Sequence, residues 1–380
     1  MTDATAAAHV SWREGGAEHS APWRSASGQP PPRRVQPVDD RLSADAAWSL
    51  ACEGTALLWR GDYHNAAQLL QAMARRGQRR RKPKTEVDPA TAFHLHRMAQ
   101  GQRARALGML LIQIDDDDGY RIGLRRAPDI AEAGAQAWGA QAGGCVLALR
   151  ELLGVIGASE WRRKGVPVPA LGARIHPHYG VFSPVRGEYV DLVAAAPLPA
   201  TTRAFDIGTG TGVLAALLAR RGVARVVATD CDARALACAA DNIARLGVQD
   251  QVEIVQADLF PPGRAPLIVC NPPWLPGKPA SALEHAIYDP DSRMLRGFLA
   301  GVPAHLDEGG EAWLILSDFA EHLGLRSRAQ LLEWIAAAGL EVRGRDDVRP
   351  SHRKASDAED ALHAARAAEV TSLWRLGVAR

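Results

Sequence analysis

From about residue 170 onward, short apolar runs end in a glycine or an acid and give way to helical stretches. No other feature limits the possible folds so strongly. "TRAFDIG", "ARVVATD", "VEIVQAD", "PLIVCNPP" and "EAWLILSD" have the length and composition of buried strands. "VLAALLARRG" and "ARALACAADNIARLG" between them have helical periodicity. Strands that alternate with helices predict a parallel sheet with right-handed crossovers. Two later runs, "EVRGRDDVRP" and "EVTSLWRLG", are expected to add an antiparallel edge.

Upstream, the texture differs. Residues 1 to about 40 are rich in Ala, Ser, Gly, Pro and charge, and are expected to form a disordered tail. "SADAAWSLACEGTALLWR" and "DYHNAAQLLQAMARR" predict helices capped by Ser43 and Asp62. The run "RRGQRRRKPK", Arg75 to Lys84, suits either a solvated helix end or a contact with RNA phosphates or a ribosomal surface. "MLLIQIDDDDGYRIGLRR" predicts a hairpin with an acidic turn. That turn does not fit calcium: Arg125 stands where the bidentate Glu of a calcium loop belongs. Residues 41–165 are therefore expected to be a mostly helical accessory domain with a β-hairpin, followed by "GVPVPALG" as a linker and a second domain over 170–380.

Several classes are disfavoured early. The five cysteines include no C-x-x-C pair, and His94 and His96, two apart in a helical stretch, point to different faces, so no metal site is expected. No apolar run approaches the ~18 residues of a membrane span. The N-terminal stretch lacks an apolar signal core, and the expected setting is cytoplasmic.

Candidate site residues collect where strands end. "FDIGTGTGVLA" places Asp206, Gly208, Thr209, Gly210, Thr211 and Gly212 at the first strand-to-helix turn, where small residues admit a ligand to the backbone. A dinucleotide fingerprint beginning at Gly208 would need a glycine at Val213, so NAD is disfavoured. Asp230 ends the second strand and is placed to accept ribose hydroxyls. Asp258 and Leu259 follow the third, and Asn271, Pro272, Pro273 and Trp274 follow the fourth. Each acid alone suits a helix cap. Polar groups at four successive strand ends suit the edge at which open α/β sheets bind ligands.

Those four motifs, in that order, resemble the class I S-adenosylmethionine-dependent methyltransferases of the N-P-P-aromatic branch. They are most similar to the glutamine methyltransferases of release factors and ribosomal proteins, over roughly residues 174 to 345. The resemblance implies a Rossmann-like, seven-stranded methyltransferase sheet and S-adenosyl-L-methionine as cofactor. It implies that Gly208 to Gly212 surround the methionine part, that Asp230 holds the ribose, and that Asp258 and Leu259 flank the adenine. Asn271 would stand between cofactor and acceptor. Upstream, "HYGVFSPVRGEYV" matches in part, through Pro184, Arg186 and Glu188, and its "GVFS" also resembles small-subunit ribosomal RNA guanine methyltransferases. Trp274 departs from the tyrosine typical of the glutamine branch.

The chemistry this implies is methyl transfer to a planar NH₂ group. The Asn271 side-chain oxygen and the Pro272 carbonyl would accept its two N–H hydrogens as positive charge grows on nitrogen. Trp274 would offer a flat surface to the acceptor. The acceptor stays open between a glutamine of a translation protein (a release factor or ribosomal protein) and an exocyclic amine of rRNA or DNA, which would have to be unstacked. A methyltransferase-like binding module without catalysis is the alternative from another class.

Overall fold

Val10 and Trp12 alternate with polar residues, and two glycines follow them. Gly15 and Gly16 both take positive φ, 59° and 85°, as a two-residue type I′ turn requires. They join β1 (His9–Glu14) to β2 (Ala17–Pro22) as an antiparallel hairpin. The computed structural model describes residues 8–78, 87–115, 119–140, 143–185, 187–350 and 362–380. The chain divides into two compact units, Met1–Val87 with His94–Glu160 and Asp88–Phe93 with Trp161–Arg380.

The first unit is organised by a sheet. The elements after the hairpin are β3 (Arg34–Val38), α1 (Ala44–Cys52), β4 (Thr55–Trp59), α2 (Tyr63–Gly77), α3 (Pro89–Leu107), β5 (Leu110–Ile114), α4 (Ala131–Trp138), β6 (Cys145–Ala148) and α5 (Leu149–Lys164). Strand order is β3-β4-β5-β6, with the first three parallel and β6 antiparallel to β5. Successive side chains of β4 face opposite ways. Leu57 and Trp59 pack with Leu70, Met73 and Leu107, whereas Ala56 and Leu58 pack with Val10, Trp12 and Ala21 of the hairpin. Ser43 and Asp62 cap α1 and α2 as anticipated, accepting from Ala46 N (3.3 Å) and His64 N (2.9 Å).

Three expectations need correction. Residues 8–40 are not a disordered tail. Alone they could not bury enough apolar surface, but the second face of the sheet supplies what they lack, and Val10 and Trp12 are buried there. The hairpin proposed over residues 109–126 also does not form as such. The edge of β5 pairs instead with β6, Ile114 opposite Cys145, and residues 120–124 carry no strand. Tyr120 and Ile122 are buried all the same, and Asp115 N–H donates to Arg121 O across the acidic turn (2.9 Å). Asp116 to Asp118 lie outside the described residues, as does the basic run from Arg79 onward; Arg75 and Arg76 close α2. Lastly, "GVPVPALG" is part of the second unit. It contributes β7 (Val166–Val168), which pairs antiparallel with β8 (Ala173–Ile175), and Val168 and Leu171 join the core.

The second unit continues through α6 (Glu188–Ala195), β9 (Arg203–Ile207), α7 (Val213–Arg220), β10 (Arg225–Asp230), α8 (Ala233–Arg245), β11 (Val252–Gln256) and β12 (Ala265–Cys270). It ends with α9 (Arg293–His305), β13 (Leu306–Ser317), α10 (Phe319–His322), α11 (Arg328–Ala337), β14 (Leu340–Val348), α12 (His363–Ala368) and β15 (Thr371–Val378). Its seven-stranded sheet has the order β11-β10-β9-β12-β13-β15-β14. Only β15 runs against its neighbours. Both faces are covered, which is why the central strands read as near-continuous apolar runs. Ala204, Val269 and Trp313 face one core with Leu214 and Leu218 of α7; Phe205, Ile268 and Leu314 face the other with Leu295 and Phe298 of α9. Strand order reverses between β10 and β12, either side of β9, so the ligand crevice of such a sheet lies past the C-terminal ends of these strands. Among the described residues, no helix is long and apolar enough to cross a membrane, and no group of three or more His, Cys, Asp or Glu side chains is placed to hold a metal ion.

Candidate active site

The turn after β9 depends on its glycines. Gly208, Gly210 and Gly212 all have positive φ, at 73°, 56° and 80°. A Cβ on Gly208 would stand 2.6 Å from Met294 Cε, and one on Gly212 3.2 Å from Ala239. At Gly210 a Cβ would meet nothing within 4 Å, so the turn opens toward free space there.

Asp206 holds this turn from beneath. It is fully buried, and its Oδ2 accepts from the Thr209 hydroxyl (2.6 Å) and from Ala215 N–H in the first turn of α7 (3.1 Å). Burial drives its pKa up to about 6, against the pull of those two donors, and the charge of Asp230 adds to the rise. Its place is structural support for the turn rather than the open crevice. Thr209 N–H donates to Thr229 O (2.8 Å), and Thr211 is buried with its carbonyl accepting from Asn242 Nδ2 (3.1 Å).

Asp230, at the end of β10, faces the glycine turn. Its Oδ2 accepts from Gly210 N–H and its Oδ1 from Asp232 N–H, both at 3.0 Å. Burial raises its pKa, with the backbone donors opposing. Asp258 is different: it is exposed and paired with the exposed Arg293 at 2.7 Å. Leu259 is half-buried, and its carbonyl accepts from the Thr229 hydroxyl at 2.6 Å.

Cys270 lies opposite Ile207 in the parallel pairing of β12 with β9, so Asn271 and Gly208 leave the sheet side by side. Pro272 is buried, while Asn271, Pro273 and Trp274 are half-buried. Trp274 Nε1 donates to Asn271 Oδ1 at 2.8 Å, which fixes the amide and leaves that oxygen a second lone pair. The indole packs against both core clusters, so its ring is partly committed to the core. Leu275 then pairs with the returning segment, through Leu275 N–H to Ile287 O (3.1 Å) and Asp289 N–H to Leu275 O (2.8 Å).

The structure thus brings Gly208–Gly212, Asp230 and Asn271–Trp274 to one edge and keeps Asp206 below it. It also adds residues that the motifs did not name. Buried Asn242, on α8, ties the glycine turn to the strand before α6, accepting from His176 N–H at 2.7 Å. Its signal was an amide on the otherwise apolar face of a helix, four residues after Cys238. Asp289 caps α9, accepting from Met294 and Leu295 N–H at 2.9 and 3.0 Å. The Asp-Pro pair before a helical run announced that cap. Arg186 lies outside the described residues.

Comparison with known proteins fits this geometry. The pattern of the methyltransferase small domain family matches residues 172–332. A release factor glutamine methyltransferase from Cereibacter sphaeroides is 34% identical over 169 residues, 41% of this chain and 58% of the relative. A tRNA1(Val) (adenine(37)-N6)-methyltransferase from Bacteroides thetaiotaomicron is 32% identical over 144 residues, 35% of this chain and 59% of the relative. A ribosomal protein uL3 glutamine methyltransferase from Bordetella pertussis is 36% identical over 136 residues, 32% of this chain and 45% of the relative. The chain spans less than two thirds of the length of each of these curated relatives.

Proposed function

Since residues 172–332 belong to the methyltransferase small domain family, we propose that the chain is an S-adenosylmethionine-dependent N-methyltransferase acting on a planar NH₂ group. The observation that carries this is the side-by-side exit of Asn271 and Gly208 from adjacent parallel strands at the switch point. S-adenosyl-L-methionine supplies a methyl group activated on a sulfonium. The residues present fit it. The turn is open at Gly210, and the Asp230 carboxylate, held by two backbone donors, keeps lone pairs for the ribose hydroxyls. Gly208 to Gly212 would hold the methionine part, and Leu259 with Asp258 would flank the adenine.

The acceptor nitrogen is a poor nucleophile because its lone pair is delocalised. Asn271 Oδ1 and the Pro272 carbonyl accept its two N–H hydrogens, an interaction that strengthens as positive charge develops, and each such group is commonly worth about 10²–10³ in rate. Trp274 holds the Asn271 amide in place, so that acceptor is preorganised before the substrate arrives. No strong general base is needed, because the proton leaves after transfer.

The preferred acceptor is a glutamine of a translation protein, a release factor or ribosomal protein, in the cytoplasm, as the names of two of the relatives suggest. An exocyclic amine of rRNA or another nucleic acid is the second reading. It is favoured by an open groove of about 710 Å³ beside α9, lined by Arg293, Arg296 and Trp334, with Arg296 standing 5.5 Å from the indole centre. A cationic and aromatic groove suits a polynucleotide strand. The basic run Arg75–Lys84 would serve either substrate. Purified protein incubated with methyl-labelled cofactor and an extract from a deletion strain tests the proposal. Label is expected in protein, at glutamine. Failure to bind the cofactor would refute the reading.

A further inference from the structure

Ser317 ends β13, the parallel neighbour of β12, so the segment after it leaves the sheet on the same edge as Asn271. Phe319, Ala320, Leu323 and Leu325 of that segment pack with Leu275, the residue after Trp274, and with Tyr288. Arg326 closes the segment, its N–H directed at Ala320 O (3.4 Å). Its relative exposure is only 3%, and its Nε and Nη2 are buried without a hydrogen-bond partner. Those two groups form one edge of the guanidinium fork, and both have left water with nothing in exchange.

Charge is not what Arg326 lacks. Burial lowers its pKa, but Glu321 and Asp289 lie near enough to favour its charged form. Both carboxylates are engaged elsewhere: Asp289 on the amides that begin α9, and Glu321 on Arg328 at 2.7 Å. A further anion would be repelled by these two acids. The missing element is a neutral acceptor oxygen.

We propose that Nε and Nη2 of Arg326 receive a main-chain carbonyl oxygen of a polypeptide acceptor whose side-chain amide is held at Asn271. This rests on the methyltransferase reading above and narrows its acceptor to protein; an RNA phosphate would meet Asp289 and Glu321. The way in is past residues 276–288, which two backbone hydrogen bonds fasten to the acceptor loop at Leu275. Arg326 is therefore a positioning and specificity residue, and it does not touch the reacting atoms.

Arg326→Met and Arg326→Lys test this, with purified release factors and RNA-stripped ribosomal proteins as acceptors and protein-free rRNA in a parallel arm. Removing an unmatched buried charge should leave the thermal midpoint of the cofactor-free protein unchanged or raise it. Cofactor affinity should stay within about twofold, while KM for the protein acceptor rises at least about tenfold in the Met variant and less in the Lys variant. A lowered midpoint or a misfolded Met variant, with unchanged acceptor KM in the Lys variant, makes Arg326 a structural residue and overturns the proposal. Label entering only rRNA overturns the acceptor class while sparing methyl transfer. Wild-type protein that binds no cofactor overturns the reading beneath both.

Discussion

Replacing Asp206 with Asn should stabilise the protein at neutral pH and flatten its response to pH. The carboxyl is buried, with a pKa of about 6 in the folded state. An ordinary Asp titrates near 4, so between about pH 4 and pH 6 the folded state binds more protons than the unfolded one. Stability from this group is therefore greatest when it is protonated and falls as pH rises through that window. The penalty grows from roughly 1.5 kcal/mol at pH 5 to roughly 3 kcal/mol at pH 8, where it levels off. Asn retains an oxygen for the Thr209 hydroxyl and for Ala215 N–H, both now on Asp206 Oδ2, so the glycine turn should keep its shape. Urea unfolding followed by circular dichroism at pH 5 and pH 8 measures the difference. Wild type should lose about 1.5 kcal/mol between those two values that the Asn variant keeps. Cofactor affinity should change by no more than a few-fold, since Asp206 acts through the turn. Parallel pH profiles, or an Asn variant less stable at pH 8, would refute the account.

Asp230→Ala removes the carboxylate that faces Gly210 and should weaken cofactor binding by about 2–4 kcal/mol in calorimetry, with the fold intact. Asn271→Ala should cut turnover by at least about 10²-fold at nearly unchanged cofactor affinity. Trp274→Phe keeps the ring but loses the 2.8 Å bond to Asn271, so a smaller fall, about tenfold, is expected in the same single-turnover assay. Trp12→Ala should cost the first unit about 3–5 kcal/mol, seen as faster proteolysis within residues 23–33.

The catalytic edge was legible because each of its parts sits where periodicity breaks. Gly208, Gly210 and Gly212 interrupt an apolar run where a left-handed backbone is required, and Asp230 and Asn271 end runs that otherwise contain little polarity. Composition misled at the N-terminus. Val10-x-Trp12 followed by Gly15-Gly16 is a hairpin signal, but an average over forty polar residues hides two buried side chains. The pairing of β5 with β6 could not be seen locally, because Ile114 and Cys145 are brought together only by the intervening helix. Residues such as Asn242 and Arg326 were invisible for a different reason. A lone polar residue looks solvated until the fold shows it buried, and only then does the question of its partner arise.

The place of β15 governs the order in which the second unit can assemble on the ribosome. Thr371–Val378 lies between β13 and β14, paired with both. While residues 340–348 emerge, their eventual partner has not been made, and one edge of β13 stands open. Closure of the sheet waits for the final stretch of the chain to leave the exit tunnel. A nascent chain stalled before Thr371 would expose two unpaired strand edges, the state in which edge-to-edge association is easiest. Shortening this terminus by eight residues should therefore produce aggregation, however far its loss lies from Asn271 in sequence.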